Sequence, residues 1–473
     1  MKRHIWSLTI ALTGTLLGLA TFMQPLLAQS SADLSRPVMG TLIDLGDRGP
    51  TPADAGIRAH SNVELFMPTG TARLFGTPSG PPTGAETPAS LACIYQLVPG
   101  PYPAGCPING TSVNPSGGSG YIYIVEPYDD PTAASDLAAF ASYYNMPTPK
   151  FATVYAQGKP ATAPANWLLE EATAIEWAYA MAPNATIILV EAYDPTLNAL
   201  MQAEDVARGF FTFPGYCVLG QYCGVYGEIS NSWTSAEWSG ETSYDIHFTP
   251  PRDCGGIFCF QNSFPMVIFA ASGNFPGVYW PSASPWVVSA GGTTINRDAS
   301  GNFTGESVWY SPPNGGGGGP SQYEPIPTWQ MSLNYLLRGQ RGTPDLSIEA
   351  NPASGVGVYV TCSTCFPPYT GWTPGLVGGT SLASPLLAGI VNSAGNFYGG
   401  GTLDSNYNPY SYTPENALLY SELAGAVTYR SYFRDIGADS FFGGQCGQGG
   451  KYNSHNGWDF CTGIGTPLTL IGK

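Results

Sequence analysis

Residues 377–392 read Val377-Gly-Gly-Thr-Ser381-Leu-Ala-Ser-Pro385-Leu-Leu-Ala-Gly-Ile-Val-Asn392. The stretch predicts a glycine turn opening into an apolar helix, with a serine at the helix mouth. Gly378 and Gly379 let another backbone come close, because no Cβ stands in the way. A helix start favours developing negative charge. A serine there can attack a carbonyl if a neighbouring base takes its proton. The same residues also read as an ordinary Ser/Thr helix cap, so the rest of the chain has to decide.

Upstream, short apolar runs alternate with helical patterns. Tyr121-Ile-Tyr-Ile-Val125, Thr186-Ile-Ile-Leu-Val190, Gly227-Glu-Ile-Ser-Asn-Ser232, Met266-Val-Ile-Phe-Ala270 and Trp286-Val-Val-Ser-Ala290 predict buried strands. Residues 132–143, 166–182 and 197–208 predict helices. In the second, Leu168, Ala172, Ile175, Tyr179 and Ala182 recur at helical spacing, and Asn166 is placed to cap the start. Strands alternating with helices indicate an α/β fold with a doubly wound, mostly parallel sheet and helices on both faces. Chemistry in such sheets gathers at the carboxyl ends of the strands. Glu126 and Asn274 follow two of these strands directly. Gly315 to Gly319 predict a mobile or tightly turning loop.

The chain has 473 residues, 43% hydrophobic and only 11% charged, with 60 Gly and 43 Pro. That is enough for a large core and implies many loops. Residues 1–28 read as a signal peptide: Lys2, Arg3 and His4 form a basic start, an apolar stretch follows, and Ala28 is a suitable last residue before cleavage. An uncleaved anchor is the alternative reading. Removing these residues takes away two basic groups and no acid, so the net charge deepens from −16 to −18. Such a surface repels nucleic acid and anionic lipid, and no later segment is apolar enough to span a bilayer. A secreted, periplasmic or cell-surface protein is expected. Residues 29–117 are rich in Pro, Gly, Ser and Thr and read as an irregular extension or short pro-segment ahead of a domain over 118–473. Ten cysteines fall into five close pairs, Cys93/Cys106, Cys217/Cys223, Cys254/Cys259, Cys362/Cys365 and Cys446/Cys461. With an export signal, sequential disulfides are expected, each stapling one loop. Cys362-Ser-Thr-Cys365 also has the form of a redox or metal CxxC, but no second CxxC or nearby histidine completes such a site.

The segment around Ser381 resembles the nucleophile motif of the subtilisin and sedolisin superfamily, Gly-Thr-Ser-x-x-x-Pro. Subtilisins need a histidine base, usually in a His-Gly-Thr context. His4 falls in the signal, and His60, His247 and His455 are followed by Ser, Phe and Asn. Sedolisins, the serine-carboxyl peptidases, use a helical glutamate upstream of an Ala-Pro-x-Ala turn. Glu170 stands in that position, counted back from Pro183. The resemblance extends through Ser230-Asn-Ser-Trp233, Pro281-Ser-Ala-Ser-Pro285, Ser289-Ala-Gly-Gly-Thr-Thr294 and Thr343-Pro-Asp345, and covers about residues 118–468. It implies a subtilisin-like fold and peptide-bond hydrolysis, with Ser381 as nucleophile and Glu170 as base, in acid.

Two departures follow. Sedolisins carry an aspartate four residues after the glutamate, where this chain has Ala174. Glu126 is the preferred substitute partner, with Asp130 in reserve, while Glu171 and Glu176 point to other faces and are expected to be solvated. The family's Ser-Gly-Asp oxyanion segment is Ala271-Ser-Gly-Asn274 here, and an amide donates at any pH. Near the C-terminus, Arg434-Asp-Ile436 and Asn456-Gly-Trp-Asp459 resemble the sedolisin calcium site. The resemblance implies one structural Ca2+, with carboxylates from Asp435 and Asp459 and carbonyls from Ile436, His455 and Gly457. The competing readings are a catalytically silent secreted binding protein, which Ala174 and the short N-terminal region favour, and hydrolysis of a non-peptide acyl substrate. The oligomeric state is open.

Overall fold

The computed structural model describes residues 39–471 apart from 48, 70–78, 109–111, 210–226, 250–265, 366–367, 396–414 and 438–443. Residues 1–28, expected to be an export signal, and Cys217, Cys223, Cys254 and Cys259 therefore lie outside the described residues.

Strands in chain order are β1 (Gly40–Ile43), β2 (His60–Ser61), β3 (Glu64–Pro68), β4 (Tyr121–Pro127), β5 (Lys150–Tyr155), β6 (Thr186–Ala192), β7 (Gly227–Asn231), β8 (Trp233–Ala236) and β9 (Val267–Ala271). Helices α1 (Pro88–Ile94), α2 (Ala133–Tyr143), α3 (Ala165–Met181) and α4 (Leu197–Ala207) lie among them, and the helix Thr380–Ala394 follows later. Among the described residues the central sheet has eight strands. Phe303–Val308, Val288–Arg297, β9, β7, β4, β6 and β5 follow one another across it, and Leu346–Glu349 also pairs with Val288–Arg297. Every pairing is parallel except that of Phe303–Val308. The Ile and Val residues of β4 and β6 are wholly buried because both sheet faces are covered. Helix α3 packs on the helix Thr380–Ala394, which also lies across β4, β7 and β9, and α4 covers β4 and β6 from the other side.

Strand order reverses at β4, whose neighbours are β6 on one side and β7 on the other. The crevice at the carboxyl ends of β4 and β7 is the natural site for chemistry in such a sheet. Glu126 ends β4, and Ser232 follows β7.

Several local expectations are corrected. Pro164, not Asn166, sits at the N-cap of α3 and offers no side-chain capping bond, because the helix begins one residue earlier and leaves Asn166 inside it. Glu171 and Glu176 are buried rather than solvated. Small residues such as Ala174, Ala178 and Ala180 let α2, the helix Thr380–Ala394 and the strand Tyr359–Cys362 close around α3, so the helix has no solvent face. Gly315 to Gly319 form an ordered bridge. Gly315 N, Gly317 N and Gly318 N donate to the carbonyls of Asn274, Gly273 and Gly277 at 2.9, 2.8 and 2.7 Å. Residues 29–117, expected to be irregular, contain β1, β2, β3 and α1. Their Ala59, Val63, Leu65, Leu91 and Tyr95 side chains join the same apolar core as the sheet, so the packed body extends well before residue 118. Three of the anticipated disulfides are formed: Cys93–Cys106, Cys362–Cys365 and Cys446–Cys461. Among the described residues no helix is long and apolar enough to cross a membrane.

Candidate active site

The helix Thr380–Ala394 begins after Gly379, whose φ of +101° is a left-handed value that favours glycine. A side chain here would also collide with the Asn62 carbonyl, 1.9 Å from an ideal Cβ. The turn thus delivers Ser381 to the crevice at the helix mouth. Pro385 has no N–H to give the Ser381 carbonyl four residues back, and the Ser232 hydroxyl supplies that bond instead at 3.2 Å. Ser381 Oγ in turn donates to the Ser232 carbonyl at 3.1 Å. The loop after β7 and the serine helix are thereby locked together.

Glu170 projects from α3 into the same crevice. It is fully buried, and the Ser381 hydroxyl lies near enough to favour its charged form. Burial is the larger influence and pushes the carboxyl up to about 7. Oε1 is buried without a hydrogen-bond partner, whereas Oε2 is saturated: it accepts from Ser61 Oγ at 2.5 Å, Asn62 N at 2.9 Å and Val63 N at 3.0 Å. Glu126 is buried beside it. Burial first, and the charge of Glu170 second, hold Glu126 well above the usual carboxylate range. Its Oε1 accepts from Ser232 N at 3.4 Å, and its Oε2 has no hydrogen-bond partner. Asp130 lies elsewhere. It accepts from Thr132 N and Oγ1 at 2.9 and 2.8 Å, and its charge acts on Glu171 and Glu191. Ala174, one turn beyond Glu170, is buried and brings no polar group.

Asn274 follows β9. Its Oδ1 accepts from Thr380 N at 2.8 Å and Thr380 Oγ1 at 3.0 Å, which fixes the amide with Nδ2 facing the crevice. Nδ2 donates to the Asn62 carbonyl at 2.6 Å. Thr380 therefore positions the amide from the residue just before Ser381.

Sequence reasoning missed the strap that fills this crevice. Residues 60–64 lie in an extended course, with β2 antiparallel to β8 and β3 antiparallel to Leu376–Gly378. One peptide of the strap, Asn62–Val63, has its carbonyl on Asn274 Nδ2 and its amide nitrogen on Glu170 Oε2. Glu64 borders it, with Oε1 accepting from Asn274 Nδ2 at 3.3 Å and from Asn314 Nδ2; burial pushes its carboxyl up to about 7. No local signal marks a two-residue strand, so nothing in the sequence of the extension points to this placement.

The two halves of the candidate calcium site meet. Asp435 Oδ2 accepts from Gly457 N at 2.9 Å, and Asp459 Oδ2 from His455 N at 3.0 Å. Asp459 Oδ1 accepts from Cys461 N at 2.8 Å and Thr462 N at 2.9 Å. Asp435 Oδ1 is buried without a partner, since the Tyr429 hydroxyl gives its proton to the Ile464 carbonyl at 2.8 Å. Among the described residues no group of three or more His, Cys, Asp or Glu side chains gathers as metal ligands. An ion between these halves would rest largely on the carbonyls of Ile436, His455 and Gly457, a donor set calcium accepts.

No family profile matches the chain. It is 33% identical over 223 residues to sedolisin from Pseudomonas sp. (strain 101), covering 45% of this chain and 32% of that one. It is 30% identical over 212 residues to kumamolisin from Bacillus sp. (strain MN-32), covering 42% and 33%, and 32% identical over 204 residues to xanthomonalisin from Xanthomonas sp. (strain T-22), covering 39% and 23%. The matches thus span a third or less of the length of these curated relatives. Among solved structures, Pseudomonas sedolisin (serine-carboxyl proteinase) complexed with two molecules of pseudo-iodotyrostatin superposes with a TM-score of 0.56 at 21% identity, covering 81% of this chain and 95% of that one. The architecture is therefore of the subtilisin-like α/β class. Within that class, the chain is similar to the serine peptidases sedolisin, kumamolisin and xanthomonalisin over less than half of its own length.

Proposed function

We propose that the protein is a secreted serine-carboxyl endopeptidase that hydrolyses peptide bonds in acid. The observation that carries this is the Asn62–Val63 peptide, held with its carbonyl on the Asn274 amide and its nitrogen on the Glu170 carboxylate beside Ser381. Ser381 attacks the carbonyl carbon and Glu170 takes the Oγ proton. Asn274 Nδ2 bears the oxyanion, a contribution of roughly 3–4 kcal/mol for such a donor. Glu170 then returns the proton to the departing nitrogen, and water releases the acyl group. Glu126 keeps its own proton while Glu170 carries the charge, because two buried neighbours do not both ionise.

The strap bears directly on the pH at which Glu170 ionises. Burial is the main reason the Glu170 carboxyl is raised, while the strap's Ser61 hydroxyl and its Asn62 and Val63 N–H groups act to lower it. When residues 60–64 depart, water relieves the burial and takes over from the three lost donors, which returns the base toward the ordinary carboxylate range. Calcium, held by Asp435, Ile436, His455, Gly457 and Asp459, would tie the last turn of chain to the body, which is a structural task rather than a chemical one. The three disulfides fit an oxidising compartment outside the cytosol.

A silent binding protein is the second reading, and Ala174 favours it, since no carboxyl group stands one turn beyond Glu170. Hydrolysis of a denatured protein by wild type, Ser381→Ala and Glu170→Gln between about pH 3 and 7 separates the two. Wild type is expected to cut in the acid half of that range and both variants to lose activity. Equal activity in all three, or none in a folded wild type, removes the peptidase reading.

A further inference from the structure

The side chain of Asn62 occupies a recess of its own. It is buried, and both ends of its carboxamide are matched: Nδ2 donates to the Ser232 carbonyl at 2.9 Å, and Oδ1 accepts from the Thr234 hydroxyl at 2.9 Å. A carbonyl only accepts, which fixes the nitrogen on that side. A carboxylate would set oxygen against oxygen there. A hydrocarbon of the same size would leave a buried carbonyl and a buried hydroxyl with less than their full complement of partners. The recess therefore discriminates by polarity at constant shape.

The same residue places the recess relative to the reacting atoms. The Asn62 carbonyl is the one on Asn274, and the next nitrogen is the one on Glu170. Whatever residue enters the recess thus supplies the acyl half of the bond. The two residues before it pair antiparallel with the loop-proximal strand, His60 with Thr234 and Ser61 with Trp233. Pairing of this kind holds a peptide backbone with little regard to side chain and leaves the choice of residue to the recess.

Resting on the peptidase reading of this cleft, we infer that the enzyme cuts on the carboxyl side of asparagine, with Ser232 and Thr234 setting that choice, and that Asn62–Val63 is one such bond within the chain itself. In each turnover the C–N bond after asparagine breaks and an ester to Ser381 Oγ forms. The Oγ proton passes through Glu170 to the leaving nitrogen. Water then hydrolyses the ester, giving one proton back to Ser381 by way of Glu170 and leaving a new asparagine carboxyl terminus.

The test offers the full-length chain peptides that differ only before one scissile bond, with Asn, Gln, Asp or Leu there, and measures kcat/KM at about pH 4 and about pH 6, on either side of the carboxyl range. Asn is expected to exceed Leu on the order of 100-fold. Asp should fall further behind Asn at the higher pH, where its charge faces the Ser232 carbonyl. Thr234→Val should lower the rate for Asn but not for Leu, and Thr234→Ser, which keeps the hydroxyl, should retain the preference. Wild type should also acquire an amino terminus at Val63 that Ser381→Ala never does. Equal rates after Asn and Leu in wild type overturn the specificity and leave the peptidase reading standing. A Thr234→Val enzyme that keeps the Asn preference overturns the role of that hydroxyl, and a chain that cuts Asn peptides but stays joined at 62–63 overturns the internal bond. A folded wild type that cuts neither these peptides nor denatured protein overturns inference and function together.

Discussion

Glu204 on α4 is buried, and neither of its carboxyl oxygens has a hydrogen-bond partner. Burial pushes its carboxyl up to about 8, opposed only in part by the positive charge of Arg208 and by the nearby Asn231 amide. In an unfolded chain a glutamate titrates at about 4.3 to 4.5. Below that value both states are protonated and the site costs nothing through titration. Above it the folded state holds a proton the unfolded state has lost, so stability falls as pH rises, until the fall levels off near pH 8. From about pH 4.5 to pH 7, at 1.36 kcal/mol per pH unit, the loss is about 3 kcal/mol. Glu204→Gln removes the titration and nearly preserves shape. Relative to its effect at pH 4, this substitution should therefore raise stability at pH 7 by about 3 kcal/mol. Urea unfolding followed by tryptophan fluorescence at stepped pH measures this, with both proteins carrying Ser381→Ala to prevent self-digestion. A stability difference between the Glu and Gln proteins that stays flat from pH 4 to pH 7 refutes the reasoning, because it means the buried carboxyl does not hold its proton.

Asn274→Ala should lower kcat by roughly 100- to 1,000-fold with KM little changed, as expected of a donor that acts mainly on the oxyanion, measured with one peptide at fixed pH. Asn274→Asp should recover activity only in acid, where the carboxyl carries a donating proton. Arg341 is wholly buried and pairs with the buried carboxylate of Asp345. Arg341→Met should cost about 3–5 kcal/mol in urea unfolding, and Arg341→Met with Asp345→Asn should cost less, since the second change removes the stranded charge. A calcium chelator should lower the thermal midpoint of the wild-type chain, and Asp435→Asn should remove most of that sensitivity without changing the nucleophile. An unchanged midpoint with chelator would count against an ion between Asp435 and Asp459.

The sheet was legible because its strands are apolar on both faces, and a run such as Tyr121–Val125 has no other stable place than a covered parallel sheet. That Ser381, Glu170 and Asn274 meet in one crevice was legible from segments that resemble sedolisin motifs, with Gly379 before the serine, Pro183 after the helix of the glutamate and Gly273 before the amide; their roles belong to the proposal. Glu171 and Glu176 were misplaced by the assumption that a helix has one wet face. That assumption fails when alanines let neighbours approach from every side. The strap was invisible for a different reason. A two-residue strand has no periodicity to read, and residues 60–64 acquire their course only by pairing with β8 and Leu376–Gly378, partners about 170 and 310 residues away along the chain.

The buried carboxyls and the site obey one rule. A glutamate used as base must sit where it can be desolvated, yet it must ionise at the working pH, and these demands conflict unless the medium is acidic. Several other interior carboxyls share that condition. Glu191, pushed up to about 9, and Glu324, pushed up to about 8, are raised by burial in the same sense as Glu204. Each is neutral when folded in acid and a liability above it. The exception is informative: the proposed oxyanion donor is the amide of Asn274, whose hydrogen bond to a carbonyl does not depend on pH. In the proposed mechanism the base therefore sets the acid limb of activity, the buried carboxyls set the alkaline limit of the fold, and the oxyanion contact contributes to neither limit.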